Sequence, residues 1–184
     1  MVQAARELFA AQGYFATTIE QVARLADVSP ATVYSVAGGK AGLVESLVQL
    51  WAEAPILADS ARRLQQLDHP SEILDLVATA SREVREQYGD IMKVLLATAA
   101  HETSVAAGLQ RSTVRYRQAM ERIADRLVHL KALAPGMNPP EAADVLWFYF
   151  GYSGYFTLID DNGWDLDRAQ AWLRVECARA LGLS

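Results

Sequence analysis

Residues 17–43, TTIEQVARLADVSPATVYSVAGGKAGL, contain the clearest fold signal in the sequence. Thr17 occupies an N-cap position and Glu20 follows three residues later, the spacing of a capping box, so a helix is expected to begin here. Apolar residues then recur at three- and four-residue intervals, at Ile19, Val22, Ala23 and Ala26. This spacing gives the helix one apolar face that can pack against a neighbouring helix.

A second short helix follows a tight turn. Asp27 can adopt the positive φ angle that such a turn requires, although less readily than glycine. Ser29 and Pro30 then supply an N-cap and a proline at the first helical position, which predicts a helix from Pro30 to about Ser35. Val33 faces inward, which leaves small and hydroxyl-bearing side chains outside. The two helices form a helix-turn-helix pattern, and such exposed groups suit hydrogen bonds to DNA phosphates.

Residues of this region also follow the order and spacing of a known family. The matching residues are Leu8, Phe9, Gly13, Tyr14, Thr17, Thr18, Ile19, Val22, Ala23, Val28, Ser29, Thr32, Val33, Tyr34, Lys40 and Leu43. Over about the first 45 residues the chain resembles the tetracycline-repressor (TetR) family of bacterial transcriptional regulators. The resemblance implies phosphate contacts, and the candidate DNA-binding set is Thr18, Ser29, Ala31, Thr32, Tyr34 and Lys40. The chain departs from the family pattern at Asp27, at residues 36–37 and at the two glycines at 38–39.

The charge of this region favours an alternative function. The chain has a net charge of −5, and residues 1–51 hold three cations against four carboxylates. A DNA-binding surface is expected to be basic. A protein-interaction module on the same fold that has lost DNA affinity therefore remains the second hypothesis, and an all-α enzyme the third. A purely structural alternative is a helical hairpin with no role in nucleic-acid binding.

Composition indicates a soluble protein without catalytic motifs. A hydrophobic content of 52% is ample for a core, and the one cysteine, Cys177, excludes an internal disulfide and suits the cytoplasm. The longest apolar run, residues 145–159, is too short for a membrane span. We find no metalloprotease, nucleophile-elbow or phosphate-loop motif, and the three histidines are scattered. The sequence predicts no enzyme, cofactor, metal site or membrane contact.

The rest of the chain is predicted to be helical throughout. Helices are expected at residues 1–12, from Lys40 to Trp51, and at 56–67, 70–88, 91–102, 109–133, 139–160 and 166–181. Gly89 and Asp90 are interpreted as a break. Asn138, Pro139 and Glu141 form a cap at the start of the next-to-last helix. The sequence predicts an all-α chain with an N-terminal three-helix helix-turn-helix domain at residues 1–45 and an effector-binding and dimerisation domain at residues 46–184.

The helix at residues 139–160 is apolar almost all the way round, so it must be buried on every side. We therefore expect one of its faces to meet a second copy of the chain, as half of an intermolecular four-helix bundle. The candidate dimer residues are Phe150, Gly151, Gly154, Leu158, Trp172 and Leu173. A purely intrachain core is the alternative.

A cavity for a small hydrophobic or aromatic effector is expected among the helices of the second domain. The candidate lining residues are Met92, Leu96, His101, Tyr116, Met120, Trp147 and Tyr155, although such residues are more often core than pocket. The resemblance implies repression of an operator on double-stranded DNA by a homodimer, relieved when the effector shifts the helix from Lys40 to Trp51.

Overall fold

The computed structural model describes residues 1–183, and within that range every regular element is helical, which confirms the all-α class. The α-helices are α1 (Val2–Gln12), α2 (Ile19–Leu25), α3 (Pro30–Ala37), α4 (Gly39–Ala52), α5 (Pro55–Leu64), α6 (Pro70–Thr98), α7 (Thr103–His129), α8 (Pro139–Phe150), α9 (Tyr152–Phe156) and α10 (Leu166–Leu181). A π-helical turn, Thr157–Asp161, directly follows α9.

Two compact units divide the chain. Unit 1 contains Met1–Ala54 and Gln87–Thr113, and unit 2 contains Pro55–Glu86 and the residues from Val114 onward. Unit 1 is therefore larger than the predicted helix-turn-helix domain of residues 1–45, because the end of α4 and parts of α6 and α7 pack with it. The functional division between the two predicted domains stays a prediction.

The start of α2 differs from the prediction by one residue. Thr18, and not Thr17, is the N-cap: its Oγ1 accepts from the Gln21 amide at 3.2 Å, and the Gln21 side chain accepts from the Thr18 amide at 2.8 Å. Thr17 is buried and donates its hydroxyl to the Gly13 carbonyl at 2.8 Å. Because this bond closes the loop after α1, the Thr17 hydroxyl is not the cap of α2.

The turn into α3 has the predicted geometry. Asp27 has a φ of 54°, in the left-handed region that was expected for this position. The side chain of Ser29 caps α3 by accepting from the Thr32 amide at 3.1 Å, and Pro30 is the first helical residue. Val33 is completely buried, so it fixes which face of α3 points inward. The helix-turn-helix pattern is therefore present in the fold.

Two ion pairs connect the helix-turn-helix with the other segment of unit 1. The guanidinium of Arg6 on α1 contacts both carboxylate oxygens of Asp90 on α6, at 2.6 and 2.7 Å. Arg111 on α7 donates to both carboxylate oxygens of Glu45 on α4, at 2.6 and 2.7 Å. The predicted break at residues 89–90 is wrong, because α6 runs through it. Contacts such as the Arg6 pair outweigh the weak helix propensity of this dipeptide.

Unit 2 encloses a core formed by α5 to α8, α9 and α10. The predicted cap of α8 is confirmed, since the Asn138 side chain accepts from the Glu141 amide at 2.9 Å. The predicted single helix over residues 139–160 is interrupted, however, at Gly151, whose ψ of −170° is extended. A Cβ atom at Gly151 would lie 2.3 Å from the Trp147 carbonyl oxygen, so this break requires glycine.

Candidate DNA-binding surface and effector core

The outer face of α3 carries most of the candidate DNA-binding residues. Tyr34 is 59% exposed, and Ala31 and Ser29 are exposed as well. Thr32 is half-buried, and its Oγ1 lies 2.8 Å from the Ser29 Oγ. Thr18 is exposed at the start of α2. The surface thus combines hydroxyl groups with a small residue that permits close approach, as phosphate contact and groove insertion require.

Ser35 belongs to the same face and was missed in the sequence. It is exposed, and its hydroxyl donates to the Thr32 carbonyl at 3.1 Å. The signal that could have found it is its position three residues after Thr32, which places both side chains on one face of a helix. Val36, 67% exposed, also lies on this helix and adds an apolar group to the surface.

Lys40 is held by an aromatic ring. Its Nζ lies 4.3 Å from the centroid of the Tyr14 ring, and its side chain is half-buried. Burial lowers the pKa of Lys40, and the nearby carboxylate of Glu102 acts in the opposite direction. A cation–π contact of this kind orients the ammonium group at the start of α4. Lys40 is therefore a positioned charge and not a freely mobile one.

Tyr34 is positioned by Gly39, the first residue of α4. Both Gly38 and Gly39 have positive φ angles, 73° and 79°, and together they form the turn between α3 and α4. A Cβ atom at Gly39 would lie 3.2 Å from Cε1 of the Tyr34 ring, closer than most Cβ contacts, so the ring would have to shift by a few tenths of an ångström. The glycine pair that departs from the family pattern therefore lets the Tyr34 ring lie against the backbone of α4.

Few cations of the N-terminal segment are available to a phosphate. Arg6 is engaged by Asp90 and also donates to the Gln87 carbonyl. The hydrogen bond with Asp90 raises the pKa of Arg6. Within residues 1–51 this leaves Arg24, which is exposed, and Lys40. The sequence already has few positive charges in this segment, and the structure leaves still fewer available because Arg6 is paired with Asp90.

The candidate effector residues fall into two groups. In unit 1, Met92 is fully buried, Leu96 is 37% exposed, and His101 is exposed beside the Phe15 ring, with centroids 6.2 Å apart. In unit 2, Met120 and Tyr155 are buried in the core, and Tyr116 and Trp147 pack against it. The Tyr116 and Trp147 rings meet edge to face with centroids 5.3 Å apart, and both contact the ring of Tyr152.

Arg85 is a second residue that the sequence did not single out. Arg85 is buried, with an exposed fraction of 5%. Its guanidinium donates to the Ser81 carbonyl at 3.2 Å, the Tyr116 hydroxyl at 2.9 Å, and the carbonyls of Phe150 and Gly151 at 2.8 and 2.7 Å. The last two are the carbonyls that the helix break frees. An arginine on the otherwise apolar face of α6 was the available signal.

The candidate dimer residues are partly internal to unit 2. Phe150, Gly151, Leu158 and Leu173 are buried within the chain, whereas Trp172 is 42% exposed. An open groove of about 620 Å³ lies on unit 2. It is lined by Asp144, Trp147, Phe148, Tyr149, Tyr152, Ser153, Gly154, Thr157, Leu158, Trp172 and Leu173. Phe148, which is 73% exposed, was not in the predicted set.

Neither a metal site nor a membrane span emerges from residues 1–183. No group of three or more potential metal ligands comes together in that range. Its helices include none that is both long and apolar enough to cross a membrane.

Comparisons with known proteins agree with the geometry. The sequence model described as "Bacterial regulatory proteins, tetR family" matches residues 1–47. A search of curated protein sequences found no match. Among solved structures, the SmeT–triclosan complex has a TM-score of 0.80 at 20% identity, and the alignment covers 97% of this chain and 88% of that one.

Two further structures are similar over nearly the whole chain. NalD, the secondary repressor of the MexAB-OprM multidrug efflux pump in Pseudomonas aeruginosa, has a TM-score of 0.74 at 24% identity, covering 98% of this chain and 93% of that one. The TetR-family regulator PfmR from Thermus thermophilus has a TM-score of 0.73 at 15% identity, covering 98% and 92%. At these identities the likeness establishes the fold.

The chain is thus an all-α protein with an N-terminal helix-turn-helix. Its first 47 residues match the tetR-family sequence model, as the resemblance had predicted, and the whole chain shares its fold with solved TetR-family regulators such as PfmR.

Proposed function

We propose that the protein is a DNA-binding transcriptional regulator of the TetR type, which acts in the cytoplasm as a homodimer and represses transcription until a small effector binds. The observation that carries this proposal is the outer face of α3. It is capped by Ser29, anchored by Val33, and presents Tyr34 and neighbouring hydroxyl groups to solvent. A helix held in this way is suited to enter the major groove.

Binding would depend on hydrogen bonds more than on charge. The hydroxyls of Thr18, Thr32 and Tyr34 can donate to phosphate oxygens, and Lys40 adds a positioned charge at the start of α4. Each neutralised phosphate steepens the salt dependence of binding. With Lys40 and Arg24 the available cations of this segment, we expect a shallow salt dependence.

The groove on unit 2 would be covered by a second copy of the chain. Phe148 and Trp172 are large aromatic residues with exposed fractions of 73% and 42%, and both line the groove. Contiguous exposed apolar surface of this kind marks an interaction site. Two copies would place two α3 helices on successive half-sites, about 34–36 Å apart.

The effector would bind in the core of unit 2, near Tyr116, Met120, Trp147 and Tyr155. Helices α6 and α7 contribute to both units, and their residues 87–113 are tied to α1 and α4 by the Arg6 and Arg111 ion pairs. A shift of α6 or α7 on effector binding would therefore act on α4 and change the separation of the α3 helices. Such coupling requires the effector to bind more tightly to the dimer whose α3 helices are separated wrongly for DNA than to the dimer that fits DNA.

Footprinting the full-length protein on genomic DNA tests the regulatory function. Lys40→Ala should weaken binding to the recovered operator at every sequence tested and flatten its salt dependence. Tyr34→Phe should weaken binding without changing the salt dependence, because it removes a neutral donor. Arg122→Ala, which removes an exposed charge from unit 2, is the control and should leave both unchanged.

A protein-interaction module remains the second candidate, favoured by the shortage of free cations around α3. Should no genomic DNA be retained at low salt while Tyr34 variants abolish capture of a protein partner, the interaction hypothesis would replace the regulator.

A further inference from the structure

The core of unit 2 contains a cation, Arg85, for which residues 1–183 supply no carboxylate partner. All four hydrogen bonds of Arg85 go to neutral oxygen atoms. A guanidinium stays charged in a protein, and burial of an unpaired charge is costly. The carbonyl end of α8 offsets part of this charge through its dipole, but it supplies no full negative charge.

A second cation lies on the same face of α6. Arg82 precedes Arg85 by three residues, so the two side chains share one side of the helix. Arg82 has a counter-ion in Asp167 at 2.8 Å, and that carboxylate is 80% exposed. The pair of arginines therefore carries one positive charge that the surrounding residues of unit 2 leave uncompensated.

Two hydrogen-bond donors next to this charge have no acceptor among the described residues. One is the Nε of Arg85, and the other is the hydroxyl of Tyr155, whose residue has no exposed surface. The Arg85 guanidinium carbon lies 5.0 Å from the centroid of the Tyr155 ring, so the two groups are neighbours. The Nε of Arg82 is also buried without a partner. Buried donors are normally paired, and each unpaired one is destabilising.

We propose that Arg85 and Tyr155 bind the carboxylate of an amphipathic monoanionic effector. The inference rests on the proposed function, since it names the chemical class of that effector. A carboxylate has two acceptor oxygens and one negative charge, which match the unpaired donors of Arg85 and Tyr155 and the one uncompensated cation. The rings of Tyr116, Trp147 and Tyr152 provide apolar surface for the rest of the molecule.

A monocarboxylate fits this site better than a phosphate. A phosphate carries up to two charges and needs more donors than the pair offers, whereas four of the hydrogen bonds of Arg85 are already made within the chain. A neutral alcohol would leave the charge of Arg85 uncompensated. A cationic ligand would be repelled by both arginines.

Binding there would act on the helix break. Arg85 holds the carbonyls of Phe150 and Gly151, and α9 begins at the next residue, Tyr152. Tyr152, Gly154 and Leu158 line the groove assigned to the second copy. A movement of the Arg85 guanidinium toward a ligand would therefore change its hydrogen bonds to Phe150 and Gly151, directly before the segment that forms the proposed dimer contact.

The test compares ligands that differ only in the polar head. Calorimetry and thermal shift on the full-length protein would use benzoate, 4-phenylbutyrate and decanoate, each beside its matched alcohol and amine. We expect at least one carboxylate to bind about tenfold or more tighter than its alcohol, as expected for a hydrogen bond to a charged group. Equal affinity for acid and alcohol would overturn the proposal, and so would the failure of all three acids to bind.

Tyr155→Phe separates recognition from structure. The hydroxyl it removes has no partner in residues 1–183, so the variant should fold with unchanged or higher stability. It should nevertheless lose most of the preference for acid over alcohol. Tyr88→Phe is the control, since Tyr88, on α6, is also buried but lies outside the groove, with the Arg6 guanidinium carbon 5.9 Å from the centroid of its ring. An acid preference that survives Tyr155→Phe would contradict the assignment.

Arg85→Gln should abolish the preference as well, although it also loosens the end of α8. Operator binding without ligand is measured on the same samples. If the acid preference holds and no operator is bound, the regulator hypothesis fails while the carboxylate site stands. If operator binding holds and the preference is absent, the carboxylate site alone is wrong.

Discussion

The two glycines between α3 and α4 allow a sharp test of how Tyr34 is positioned. Gly38 and Gly39 have nearly equal φ angles, 73° and 79°. A Cβ atom at Gly38 would meet nothing within 4 Å, whereas at Gly39 it would lie 3.2 Å from Cε1 and 3.4 Å from Cδ1 of the Tyr34 ring. Alanine at either position therefore strains the backbone, but only Gly39→Ala displaces the ring.

The two variants should lose similar stability. A left-handed conformation costs an L-residue roughly 1–2 kcal/mol, which for a chain of this size lowers the melting temperature by about 2–8 °C. The extra contact in Gly39→Ala adds little, because Tyr34 is 59% exposed and can rotate away. Thermal and urea unfolding of both variants would measure these changes.

Their effects on DNA should differ. If Tyr34 donates to a phosphate, its loss removes about 0.5–1.5 kcal/mol per subunit, which for two subunits is a factor of roughly 5–150 in affinity. Gly39→Ala should weaken operator binding by this factor at temperatures where the variant is folded, and Gly38→Ala should not. Equal binding by the two variants, or a larger defect in Gly38→Ala, would refute the role of Gly39 in placing Tyr34.

Three further outcomes are expected. Trp172→Glu should give folded monomers in sedimentation analysis, because it buries a charge in the proposed dimer contact, while Val128→Glu, at an exposed residue outside the groove, should leave the dimer intact. Burial acts to raise the pKa of Asp90, but the hydrogen bonds and charge of Arg6 outweigh it and hold the pKa below its usual value. The ion pair therefore stabilises the fold above the unfolded pKa of about 3.9 and is lost as pH falls through the folded pKa, so Asp90→Asn should show a flatter acid limb in urea unfolding measured against pH. Burial raises the pKa of Cys177 to about 12, so this thiol should resist iodoacetamide at pH 8 in the native protein and react once the chain is unfolded; rapid native labelling would contradict its burial.

Local signals in the sequence were sufficient where one short segment specifies its own structure. The Ser29–Pro30 start of α3, the positive φ of Asp27 and the Asn138 cap of α8 all depend on residues within three positions of each other. Such features can be predicted because their hydrogen bonds and backbone angles are made within one turn. The displaced cap at Thr18 shows the limit, since two adjacent threonines compete and a contact to Gly13 decides between them.

The candidate site could be predicted only in part, because some of its features depend on residues close in the sequence and others on residues far apart. Most of the candidate DNA-binding residues lie at the start of α3 or on it, so their shared face could be inferred, although Ser35 was missed. The continuity of α6 through Gly89 depends on contacts such as that between Arg6 and Asp90, 84 residues apart in the chain. Local propensity is a weak guide wherever tertiary contacts of this kind compete with it.

Short-range features of the sequence were enough to specify the helical class, the helix-turn-helix and the match of the first 47 residues to the tetR-family pattern, because periodicity, caps and turn residues act over a few positions. Tertiary structure alone decided the break at Gly151, the burial of Arg85 beneath it, and which aromatic residues face solvent along α8 and α10. Those features arise where segments distant in the chain meet. The guanidinium of Arg85 donates to carbonyls 65 and 66 residues away in the chain, and no local sequence pattern predicts hydrogen bonds over that separation.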